Sequence, residues 1–146
     1  MFGAPIFLTL LVLSCGYGLW RGDRDVRIVA AACVMATLAT HFAVAPLRER
    51  YASVEEGLML IDGLMLLVFV AVALRSNRFW PLWVAGLQLT TSVAHLLKGL
   101  HLELLPKAYG AALAFWSYPI LLILVIGTYR HQRRMAGDRR QSSKLA

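Results

Sequence analysis

The sequence predicts an all-α integral membrane protein: a five-helix transmembrane bundle, amino terminus outside and carboxyl terminus in the cytoplasm. Three observations lead there. Of its 146 residues 59% are apolar and its mean hydropathy is +0.63, more than a water-surrounded fold of this size can hide. Five apolar stretches, residues 1–20, 28–47, 57–74, 79–97 and 108–129, each approach the roughly 20 helical residues that cross a hydrocarbon core about 30 Å thick. The third observation is charge. Eleven cations (Arg21, Arg24, Arg27, Arg75, Arg78, Arg130, Arg133, Arg134, Arg139, Arg140 and Lys144) follow the odd-numbered stretches, and only Arg48, Arg50, Lys98 and Lys107 fall on the other side. With the acids included the two sides carry +8 and −1. Basic loops stay in the cytoplasm, and that orientation agrees with an odd number of crossings.

The first stretch has no cation before its apolar run, as a secretory signal would, so it is expected to remain as a span. Val12-Leu13-Ser14-Cys15 bears only a faint likeness to a lipoprotein processing site. Cys15 and Cys33 are the only cysteines; they lie at matching depths and are expected to pack as small residues, not as a disulfide facing a reducing compartment. The second stretch closes at Pro46 and carries Cys33, Thr37, Thr40 and His41 on one helical stripe. On the third, Glu55, Met59 and Asp62 share a face, with Met59 read as packing and Gly57 and Gly63 expected to admit a neighbouring helix. The fourth opens with Pro81, where a missing amide donor does no harm, amid Phe79, Trp80 and Trp83. These rings, with Trp20, suit the membrane interface. Gln88, Thr91, Ser92, His95 and Lys98 follow helical steps of three and four along it. In the fifth, Trp116-Ser117-Tyr118-Pro119 predicts packing and a kink. Residues 1–132 form one transmembrane domain, and the basic tail 133–146 is expected to be disordered.

A weak repeat runs through the chain. Arg21-Gly-Asp-Arg24, Arg75-Ser-Asn-Arg78 and Arg130-His-Gln-Arg133 recur at offsets of 54 and 55, where Thr37 matches Thr91 and His41 matches His95. A duplicated two-helix hairpin would account for this, and so in part would the topology rule.

The residues singled out for a pocket are His41, Asp62, Gln88, Thr91, His95 and Lys98. Ionisable groups within spans are expensive and turn toward the bundle interior. His41 and His95 lie about 20 Å and roughly 23 Å from the cytoplasmic boundary, with Asp62 near the same level. Helices two, three and four would thus build an outward-facing polar pocket. Four chemistries are open to it. Asp62 and Lys98 could form a structural ion pair while the histidines bond to hydroxyls. A proton or cation path could use Asp62 and the histidines, since imidazole changes charge near neutrality, though the cytoplasmic half below offers few polar groups. Haem b could sit between His41 and His95, or a divalent metal on those histidines and Asp62. No cofactor follows from the sequence. Catalysis is the least supported class: no Ser-His-Asp order and no acidic set for two metals is present.

The net charge of +7 sits beside a span, which points to anionic lipid headgroups at Arg130, Arg133 and Arg134 and not to nucleic acid. Twelve arginines to three lysines suggests a GC-rich bacterial genome. The expected protein is a multi-pass component of a bacterial inner membrane. It would serve as an accessory or scaffolding subunit of a larger membrane assembly or as a homo-oligomer. The alternative is a small transporter or proton-coupled element.

Overall fold

The computed structural model describes residues 3–44, 51–99 and 106–145. The chain is all-helical there, with α1 (Gly3–Arg21), α2 (Arg24–Val44), α3 (Tyr51–Arg75), α4 (Trp80–Gly99) and α5 (Pro106–Leu145), and no strand among the described residues. Each helix packs against the next, and α5 returns to α1, so the five close a ring in chain order. The α1–α2 and α3–α4 turns lie together at one end of this ring.

The helix limits follow local chemistry more closely than hydropathy. The α1–α2 turn is Gly22 and Asp23 alone. The Gly22 amide donates to the Gly18 carbonyl at 2.8 Å, and the Val26 amide donates to Asp23 Oδ1 at 3.1 Å. Asp23 thereby caps α2, which starts at Arg24, ahead of the apolar run at residue 28. Pro81 lies in the first turn of α4 and Pro106 heads α5, positions where proline costs no helical bond. At the other extreme α5 does not stop where a disordered tail is expected from Arg133: it runs to Leu145. Residues 130–145 hold five Arg and two Gln with Met135, Ala136, Lys144 and Leu145, all good helix formers, and extending an existing helix needs no new nucleus.

The turns are bound to each other. Arg78 forms an ion pair with Asp23 at 2.5 Å, and Ser76 Oγ donates to Asp25 Oδ2 at 2.6 Å. Two of the three recurrent arginine motifs are therefore the two turns of this clamp. The third, from Arg130, lies inside α5. Above the clamp Cys15, Val26, Val29, Val72, Val84 and Leu124 form a closely packed core, with Thr128 also buried.

Glycine supports the tight end. A Cβ at Gly22 would collide with the Gly18 carbonyl oxygen and Val26, whereas at Gly57 and Gly63, where a neighbouring helix is expected, it would meet nothing within 4 Å. We expect Gly22→Ala to lower stability by about 1–3 kcal/mol, as overpacking does. Thermal unfolding in detergent reads this; a midpoint equal to that of Gly16→Ala, whose Cβ also meets nothing, would refute it.

Outside the core many exposed side chains among the described residues are large and apolar. Leu13, Met35, Leu60, Leu67, Leu74 and Leu122 are exposed, and Trp20, Phe79, Trp83 and Tyr129 are exposed toward the turn end. Arg21 lies over the Trp20 ring and Arg133 over Tyr129. Two helical stretches, Arg24–Phe42 and Gly57–Arg75, are long and apolar enough to cross a membrane, and little of either is buried; the apolar helix Pro5–Arg21 is shorter.

Candidate functional site

Away from the clamp the ring opens around a pocket of about 230 Å³. All five helices line it. α1 supplies Phe7 and Leu11; α2 supplies Cys33, Ala36, Thr37 and Thr40; α3 supplies Ile61, Asp62 and Met65; α4 supplies Gln88 and Thr91; α5 supplies Ser117, Ile120 and Leu121. An edge-to-face contact between Phe7 and Tyr118, centroids 5.7 Å apart, joins α1 to α5 beside it.

Polar groups enter because a helix repeats every 3.6 residues. Positions 33, 36, 37 and 40 share one side of α2, and positions 88 and 91 one side of α4. Two of their hydroxyls are tied back to their own helices. Thr37 Oγ1 donates to the Cys33 carbonyl at 2.8 Å, and Thr91 Oγ1 to the Leu87 carbonyl at 3.4 Å. Each hydroxyl oxygen keeps acceptor capacity.

The centre of the site is Asp62 with Gln88. Gln88 is 4% exposed, and its Nε2 donates to Asp62 Oδ1 at 3.0 Å and to the Asp62 carbonyl at 3.4 Å. One side-chain amide thus fixes the carboxylate and bridges α4 to α3. Carboxylate and hydroxyl oxygens gathered in a small cavity form a field of acceptors, which suits an occupant bearing N–H or O–H donors, above all a cation.

The other expected site residues fall differently. His41 is exposed; its ring packs edge-on to Phe42 and does not line the pocket. His95 and Lys98 lie on α4, but their side chains are outside the described residues, as are His101 and Glu55. Among the described residues no three or more His, Cys, Asp or Glu side chains are placed to hold a metal ion. Met59 is exposed.

Sequence reasoning overlooked α1 and α5. Ser117, read as part of a packing motif, lines the pocket, and its signal was its polarity within an apolar run. Phe7 and Leu11 gave none, because only ring closure brings them in. Cys15 and Cys33 are free and buried, Cys15 on α1 and Cys33 on α2. Comparison with family models, with curated proteins and with solved structures finds no match for this chain.

Proposed function

We propose that the protein is a five-span, multi-pass bundle of a bacterial inner membrane that binds a small cationic or donor-rich solute in a pocket open to the outside. The observation that carries the binding role is the acceptor-lined pocket around Asp62 and Gln88. It ends on the packed core above the turn clamp, so it is a blind cavity and not a pore. A binding protein, or the outward-open state of a small transporter, has that shape.

The membrane setting is supported by the exposed apolar surface and the two long apolar helices. In water such a surface would associate; in lipid it is solvated. The exposed Trp20, Phe79, Trp83 and Tyr129 near the basic turns match an interfacial belt. α5, at 40 residues, is about 60 Å long, so its basic end would project beyond the roughly 30 Å hydrocarbon core.

Cys33 gives a direct test. In a Cys15→Ala background, right-side-out vesicles are treated with a small cationic or a small anionic methanethiosulfonate, and adducts are read by intact mass. A hydrated pocket containing the Asp62 carboxylate should favour the cationic reagent on Cys33 about tenfold, the factor that about 1.4 kcal/mol of electrostatic preference gives. Equal rates, or no labelling from outside, would end this reading.

An accessory or scaffolding role within a larger assembly or homo-oligomer is favoured by a different observation. An almost wholly apolar groove lies on the outer face between α2 and α3, lined by Ala32, Met35, Ala39, Leu64 and Val68. Small residues of that kind let a further transmembrane helix approach closely.

A further inference from the structure

A second cavity, about 330 Å³, lies at the turn end between the α3–α4 turn, the start of α4 and α5. It is remote from Asp62 and independent of whatever occupies the central pocket. Its wall changes character from one side to the other. Arg78, Arg130, His131 and Arg134 form a basic side, while Trp83 and Ile126 belong to an exposed apolar side.

Four features of the basic side point to one ligand chemistry. Arg130 and Arg134 are one helical turn apart on α5, so their guanidiniums share a face. Neither makes an ion pair with a described residue; the Asp23 carboxylate is paired with Arg78 across the turn. Two like charges held together, with no ion-pair partner among the described residues, favour an anion between them. The first turn of α4 begins in the same wall, and the positive end of its helix dipole also attracts negative charge. Finally Trp80, also in the wall, buries its indole Nε1–H without any hydrogen-bond partner. A buried donor left unpaired costs free energy; the nitrogen has no open surface as it stands, and a small turn of the indole toward an anionic oxygen in this cavity would remove that cost. Guanidinium forks match the oxygens of phosphate in particular, and the apolar rim suits a chain or ring attached to it.

We propose that this cavity is a phosphate site that holds the headgroup of an anionic phospholipid, with Arg130 and Arg134 on the phosphate, the Trp80 N–H as an added donor, and Trp83 and Ile126 along the attached chain. It differs from the general attraction of a basic tail to a membrane because Arg133 is excluded. That side chain lies over the Tyr129 ring, 5.1 Å from its centroid, and does not line the cavity.

The test uses full-length protein in a neutral detergent and native mass spectrometry, titrated with phosphatidylglycerol, phosphatidylcholine or inorganic phosphate. Phosphatidylglycerol should be retained over phosphatidylcholine. Arg130→Gln and Arg134→Gln should each weaken that retention about tenfold or more, as loss of a charge-assisted bond does. Arg133→Gln should leave it unchanged, and Trp80→Phe should weaken it by less than the arginine changes. Competition by millimolar inorganic phosphate would keep the phosphate chemistry but assign the site to a soluble phosphate compound. If Arg133→Gln weakens binding as much as Arg130→Gln, the attraction belongs to net charge and the proposed site is wrong. Equal retention of both lipids, with no phosphate adduct, overturns it as well. Each variant's unchanged thermal midpoint shows that the fold is intact.

Discussion

Asp62→Asn is expected to erase the preference of Cys33 for a cationic thiol reagent and to weaken a cationic occupant by roughly ten- to a hundredfold. The substitution removes charge and little else. Asn keeps an oxygen where Gln88 Nε2 now donates at 3.0 Å, so the link between α4 and α3 survives. A hydrogen bond to a charged group contributes about 1.5–3 kcal/mol, and each 1.4 kcal/mol is about a factor of ten, which sets the range. Cys33 is the reporter because it lines the same cavity. Gln88→Leu acts from the other direction. It leaves the Asp62 side chain in place but takes away the Gln88 amide donor, so the preference should persist while stability falls by about 1–3 kcal/mol. If Asp62→Asn retains the full cationic preference, the charge that selects the occupant lies elsewhere in the ring.

The largest loss of stability is expected from Phe69→Ala. Phe69 is 1% exposed and belongs to the packed core, and removing a buried phenyl ring leaves a cavity that costs about 3–5 kcal/mol. Lipid surrounds the ring of helices in the proposed setting, so packing and not flight from water supplies this energy. The control is two residues away. Leu67 is 66% exposed, and Leu67→Ala should change stability by no more than about 0.5 kcal/mol. Thermal unfolding in one detergent compares them; equal losses would mean that α3 does not face the interior through Phe69.

How much of this was legible beforehand depends on the range of the interaction. Helix content and order follow from local hydropathy and caps, so each of the five apolar runs holds a helix, although α5 continues past its run to Leu145. The stripes on α2 and α4 were readable too, since Cys33, Thr37, Thr40, Gln88 and Thr91 obey helical spacing. His41 shows the limit of that reasoning. It is four residues from Thr37, yet at about 100° per residue it lies roughly 80° off the centre of the inward face. Spacing names a stripe without saying where the stripe ends. Ser117, Phe7 and Leu11 needed the contact of α5 with α1, a pairing of the first helix with the last that no local pattern encodes. The arginine turns were legible only as markers of sidedness. That Arg78 reaches Asp23, and Ser76 reaches Asp25, depends on two hairpins standing side by side.

The clamp has a mechanical corollary. Both hairpins are riveted at their bends, directly below the densest part of the interior, so the far ends of the helices are lever arms about a common pivot. Any widening or narrowing of the mouth must come from a tilt of those arms, with displacement growing with distance from the rivet. Under the proposed binding role, a solute would enter and leave quickly at the rim while the base keeps its shape.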